Sequence, residues 1–137
     1  MLLKSKFFLP RYLQKYVKKK ANFIDGALYI PPSVKLPDRV NKRFAAHYHY
    51  DKEGKVPMYI LMSKPSPFKL YQVYLFFRNL FLEEMVRTMS DSHQSGLTAK
   101  SGLETFLLYF DITAAEYSFD RGYKNWQRHN YRQLIKA

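Results

Sequence analysis

The sequence contains no cysteine. Disulfides, thiolate metal sites and cysteine nucleophiles are therefore excluded, and this usage fits a reducing cytoplasm. Long apolar runs are missing too. The most apolar stretch, Tyr71 to Leu82, is interrupted by Gln72, Arg78 and Asn79, which is far short of the roughly 20 apolar residues of a membrane helix. Lys4 and Lys6 stand inside what would be the apolar segment of a secretory signal, so no such signal is expected. No phosphate-binding glycine loop, dinucleotide fingerprint or nucleophile elbow occurs. The adjacent Glu83 and Glu84 would point in different directions on a helix and form no acid/base pair. A non-enzymatic protein without a cofactor is the expectation.

Acids are scarce. Eleven Asp and Glu face 23 Lys and Arg, for a net charge of +12. The imbalance is uneven along the chain. Residues 1–20 hold seven cations and no acid, and residues 118–137 hold five cations and one acid. Residues 83–117 reverse the sign, with six acids against two cations. Two basic ends around an acidic middle form a directed field rather than a uniform solvating coat, and nucleic acid is its leading partner.

The apolar share, 47%, is enough for a core, and 137 residues suit a single domain over 1–137. Aromatics reach 18%, nearly all Tyr and Phe, and Tyr suits half-buried positions with its hydroxyl in reach of water or phosphate. Residues 1–22 read as a basic arm or short helix. Pro10 can open that helix, Tyr12, Leu13, Tyr16 and Val17 form its apolar stripe, and Lys15, Lys18, Lys19 and Lys20 face outward. The exposed aromatics of this N-terminal region would also suit a protein partner or a second copy of the chain. Prolines 31, 32 and 37 forbid a regular helix over 23–41, where an extended connector with a short strand at Ala27–Ile30 is expected. Residues 43–62 read as a β-hairpin around Asp51-Lys52-Glu53-Gly54, with Pro57 pushing its second strand toward a sheet edge.

Ser66-Pro67 marks the start of a long central helix over about 67–92. Leu70, Tyr74, Phe77, Phe81, Met85 and Met89 make one stripe on it, with Val73, Phe76 and Leu80 beside it. A loop over 91–96 follows. Two capping boxes, Ser101 to Glu104 and Thr113 to Glu116, announce two shorter helices, and Ser118 caps a terminal one. The fold class predicted is α+β, mainly α, with three to five helices around the long one and a helix-turn-helix-like segment over 98–137.

In that terminal helix Phe119, Tyr123, Trp126 and Leu134 fall on one arc at 100° per residue. Arg121, Lys124, Arg128, Arg132 and Lys136 fall on the opposite arc. Those cations suit phosphates or guanine edges, and Asn125 and Gln127 carry amides of the type that pairs with adenine. DNA is favoured over RNA. Small size and strong basicity suit a regulator or accessory factor of a phage or mobile element, or a structural protein of a larger assembly.

His47-Tyr48-His49 is a second constellation. On a strand both imidazoles would face one side with Asp51 two residues on, an arrangement able to chelate a divalent metal. It resembles the metal-binding element of His-hydrophobic-His single-strand nucleases and transposases. That resemblance implies a broad antiparallel sheet and a Tyr nucleophile on a helix, for which Tyr123 or Tyr131 would serve. The Asp51 spacing is similar to the start of a metallo-β-lactamase-type metal motif, but Lys52 stands where another His would follow. The alternative is a pair of strand histidines beside aromatics. His93 and His129 are isolated and read as surface residues.

Overall fold

A computed structural model describes the backbone of residues 2–136, with side chains throughout except those of Tyr50, Tyr131, Gln133, Leu134, Ile135 and Lys136. The fold is α+β and mainly helical, as the sequence predicts. The element order among the described residues is β1 (Leu3–Pro10), α1 (Arg11–Lys20), β2 (Asn22–Ile24), β3 (Ala27–Tyr29), α2 (Lys42–Tyr50), β4 (Lys55–Met62), α3 (Pro67–Gln94), α4 (Ala99–Tyr109) and α5 (Phe119–Lys136). The chain, read from sequence as one domain, divides into two compact units, Met1–Arg78 and Asn79–Ala137. Helix α3 contributes Pro67–Arg78 to the first and Asn79–Gln94 to the second.

The first unit is built on a four-stranded sheet in the order β1-β4-β3-β2. β1 and β4 pair antiparallel over their full eight residues, from Leu3 opposite Met62 to Pro10 opposite Lys55. β3 lies parallel to β4 and meets it only at Ile60 and Leu61. β2 and β3 form a tight hairpin through Asp25 and Gly26, both at positive φ (51° and 77°), the geometry that suits a two-residue turn between twisted strands. Alternation sends Phe7, Leu9, Leu28, Met58 and Ile60 to one face, where all are buried with Tyr12, Leu13, Tyr16 and Val17 of α1 and Leu70, Val73 and Phe77 of α3. The apolar stripe predicted for α1 is the buried one.

The β-hairpin expected over 43–62 is corrected. Residues 42–50 are helix α2, because Asn41 caps them: its side chain accepts from the amides of Arg43 and Phe44 (2.9 and 3.2 Å). The polar loop 51–54 joins a helix to a strand. β4 does form, but its long partner is β1, about 50 residues away in sequence. Nor is β4 an edge strand. Pro57 is tolerated because β3 does not extend that far, leaving β4 with β1 alone at that level.

In the second unit Phe81, Met85, Met89, Leu103, Phe106, Leu107, Phe110, Ile112, Tyr117 and Trp126 are buried. Phe81 sits at the centre of a ring cluster, 5.3 Å from Phe106 and 5.1 Å from Tyr117 between centroids. α3 runs to Gln94, slightly past the predicted end. Two details are corrected. α4 begins at Ala99, and Thr98, not Ser101, caps it by accepting from the Ser101 amide (3.0 Å). The box at Thr113 encloses one turn and no helix, although Glu116 does reach back to the Thr113 amide (2.9 Å). Helices α4 and α5 are thus joined by residues 110–118.

Candidate nucleic-acid interface

Ser118 starts α5 as the sequence predicts, accepting from the Arg121 amide (3.2 Å). Asp120, in the first turn, complements the helix dipole. The docked face differs from the one expected. Gly122 and Trp126 are buried, and Asn125 and Asn130 are half-buried. A Cβ at position 122 would stand 2.8 Å from a Leu103 methyl, so Gly122 permits the close approach of α5 to α4. The Trp126 indole donates to Ser90 Oγ of α3 (3.0 Å). Phe119 and Tyr123, expected in the core, are 36% and 41% exposed and line a cleft of about 640 Å³ with Leu97 and Leu103. The buried arc is rotated by roughly 50° from the arc of the largest side chains, because the small Gly122 takes the tightest position. Leu134 lies outside the described side chains.

Opposite that arc, Arg121, Lys124, Gln127, Arg128 and Arg132 are exposed. Arg121, Arg128 and Arg132 fall within about 40° of one another around the axis, with Lys124 some 40° further on. From Arg121 to Arg132 the row extends about 16 Å at 1.5 Å per residue. Its members are not equivalent. Lys124 pairs with Asp120 (3.0 Å, both well exposed). The Arg121 guanidinium lies over the ring of Tyr117 (4.7 Å). Asn125 donates its amide to the Tyr117 hydroxyl (2.9 Å), so its donor is engaged inside the unit. Tyr117 is buried and its hydroxyl is held above the ordinary phenol range by that burial, with Arg121 and Asn125 pulling in the other direction. Lys136 lies outside the described side chains.

On α1, Lys18, Lys19 and Lys20 are exposed and Lys15 is half-buried. The first three occupy the last turn, where cations offset the partial negative charge of the helix C-terminus. They therefore have a structural role as well as an electrostatic one, and they belong to the other unit from α5.

The histidine pair is corrected together with the hairpin. On α2, residues two apart are separated by about 200° around the axis, so His47 and His49 cannot face one side. His47 is highly exposed and lies 3.6 Å from Asp51, its neighbour one turn on. Among the described residues no cluster of three His, Asp or Glu could hold a metal. Tyr123 is on α5 in the second unit, and Tyr131 lies outside the described side chains. His93 and His129 are exposed, and His93 also packs edge-on against Trp126 (5.6 Å).

Charge is divided unequally between the two units. The first unit carries sixteen Lys and Arg against four acids, whereas the second carries seven against seven. The whole net charge of +12 therefore resides in the sheet-bearing unit. No protein-family model, curated protein or solved structure matches the chain. Among the described residues no helix is long and apolar enough to cross a membrane.

Proposed function

We propose that the chain is a non-enzymatic nucleic-acid-binding protein, DNA favoured over RNA, whose α5 runs its cationic face along a phosphate backbone. The observation that carries this reading is the opposition of two arcs on one helix. Gly122 and Trp126 fix α5 to its unit, and Arg121, Lys124, Arg128 and Arg132 project from the other side. A pinned helix presents its cations without a large ordering cost on binding. The engaged Asn125 amide weighs against adenine reading at that position, so backbone contact is the main role and base selection a lesser one. A regulator or accessory factor acting in the cytoplasm, in a phage or mobile element, is the setting this reading suits.

The test replaces Arg121, Lys124, Arg128 and Arg132 together by Ala and titrates generic duplex DNA at two salt concentrations. All four side chains are exposed, so the variant should keep its helical circular dichroism. Each phosphate contact contributes about 0.9 to the slope of log affinity against log salt. The expected result is weaker binding with a slope shallower by roughly three to four. Unchanged duplex affinity in the folded variant would remove α5 from the interface.

A further inference from the structure

The sheet has a second face. The register that buries Phe7, Leu9, Met58 and Ile60 turns Lys4, Lys6 and Phe8 of β1 and Tyr59 of β4 the other way. Lys6 stands directly opposite Tyr59, and Lys4 and Phe8 are its diagonal neighbours. Tyr29 of β3, opposite Leu61, extends the same face. Tyr59 is 45% exposed, Lys4 and Lys6 are exposed, and Phe8 and Tyr29 are half-buried. The rings and cations are interleaved. Lys4 Nζ lies 5.0 Å from the Tyr59 centroid, and Phe8 has Lys6 at 5.8 Å and Lys52 at 4.8 Å. Beside β1 at the Phe8 end, a cavity of about 200 Å³ is lined by Lys6, Phe8, His49 and Lys52 together with Phe7 and Leu70 of the buried side.

None of the four strands contains an acid. Asp25 stands in the turn of the β2–β3 hairpin. This face thus belongs to the unit that holds all the net positive charge, and its own strands carry only cations. Aromatic rings on one sheet face with ammonium groups beside them match a partner that alternates planar apolar groups with phosphates. That partner is a nucleic acid with unpaired bases, because a duplex keeps its base faces stacked on one another and offers a ring nothing to lie against. Sequence selection is not needed for such binding, since every base has a face. Apart from Asn22, the hydroxyls of Tyr29 and Tyr59 and, at the Phe8 end, His49, the face has no neutral polar side chain to contact a ribose 2′-hydroxyl, which favours DNA.

We propose that this sheet face binds single-stranded DNA, with bases stacked on Tyr59 and Phe8 and phosphates running past Lys4, Lys6 and Lys52. The site is separate from α5, lies in the other unit and takes a different form of nucleic acid.

The experiment is fluorescence anisotropy with a labelled 20-nucleotide oligo(dT), beside oligo(U) of equal length and a duplex, on the full chain. Tyr59→Ala should weaken oligo(dT) binding about tenfold or more, the usual effect of removing one stacking ring. Tyr59→Phe, which keeps the ring, should bind as the parent does. Lys4→Ala with Lys6→Ala should lower the salt slope for the single strand by about 1.4, at 0.7 per phosphate. Thermal melts of each variant check folding, and the exposure of these positions makes a folded variant the expected outcome. Equal oligo(dT) affinity for Tyr59→Ala and the parent overturns the proposal. So does an equal loss in Tyr59→Ala and Tyr59→Phe, since stacking would then not be involved. Tenfold preference for oligo(U) overturns the assignment to DNA. The two sites fail separately: an α5 variant that loses duplex but not oligo(dT) binding supports both. One that loses neither, while Tyr59→Ala loses oligo(dT), removes α5 and leaves the sheet site standing.

Discussion

The two units present cations to solvent by different means. The first is basic throughout, with sixteen cations against four acids, and its lysines lie over aromatic rings on an open sheet face. The second is neutral in sum, with seven of each, and becomes cationic only where α5 segregates its charges from the acids elsewhere in the unit. A basic unit attracts polyanions whichever way its surfaces turn. A neutral unit does so only if its fold holds one helix in one orientation. The contribution of α5 is therefore the more dependent on packing, and the sheet face the more dependent on composition.

The largest effect is expected from loosening the second unit without touching any charge. Phe81 is fully buried among Phe106 and Tyr117. Phe81→Ala should cost about 3–5 kcal/mol, the usual range for a buried aromatic, which is a large share of the 5–15 kcal/mol a domain has. Trp126 is the one tryptophan in the sequence and belongs to the second unit, so its fluorescence follows that unit in a urea titration. The expected outcome is an earlier midpoint, with duplex affinity falling at urea concentrations where oligo(dT) is still held. Parallel loss of both activities would show that the two surfaces do not depend on separate cores.

How far the sequence reveals this arrangement depends on the range of the interactions. α1, α3 and α5 are legible because their signals are local: Pro10 before α1, Ser66 accepting from the Lys69 amide (3.2 Å), and Ser118 on α5. β1 is not legible, since its partner is β4 and a run such as Leu3-Lys4-Ser5-Lys6 has little alternation of its own. α2 is missed because alternating His and Tyr imitate a strand, while the deciding feature is one cap, Asn41. At the site, the row of cations on α5 is legible from spacing. The engagement of Asn125 by Tyr117 and the rotation of the docked face toward Gly122 are not, because both depend on what α4 and the 110–118 segment place beside the helix. The division of charge is hidden because the boundary at Arg78 and Asn79 falls inside a helix, with no linker to mark it.

A smaller effect is read through pH. Tyr48 stacks on Tyr74 (centroids 4.4 Å apart) and donates its hydroxyl to the Phe8 carbonyl, linking α2 to β1. Burial, with further contributions from Tyr74, Tyr12 and Tyr71, raises its pKa well above the ordinary value. The folded state thus retains a proton that the unfolded chain releases near pH 10. The stabilisation is complete below that pH and is lost as the pH climbs from there toward the folded value. Tyr71 and Tyr117 are shifted in the same direction. Tyr48→Phe should cost about 1 kcal/mol at pH 8 for its hydrogen bond. Melting temperatures at pH 8 and pH 10.5 should fall closer together in the variant than in the parent. A parent that melts identically at both pH values would contradict the burial of this hydroxyl.

The smallest effect expected concerns Asp120, the acid that pairs with Lys124 of the α5 row. Its carboxylate holds Lys124 at 3.0 Å, one turn apart on an exposed surface. Such pairs are worth about 0.3–0.5 kcal/mol, and an acid in the first turn adds a similar dipole contribution. Asp120→Asn should therefore lower stability by less than about 1 kcal/mol and release Lys124 toward the anion. Because 1.4 kcal/mol corresponds to a factor of ten, relief of the pair alone should tighten duplex binding about twofold, with a slightly steeper salt slope. Oligo(dT) affinity should not move, since no residue of the sheet face is involved. A change in oligo(dT) binding as large as that in duplex binding would mean that the two surfaces are not electrostatically separate. It would then be the net charge of the chain, rather than the placement of α5, that governs association.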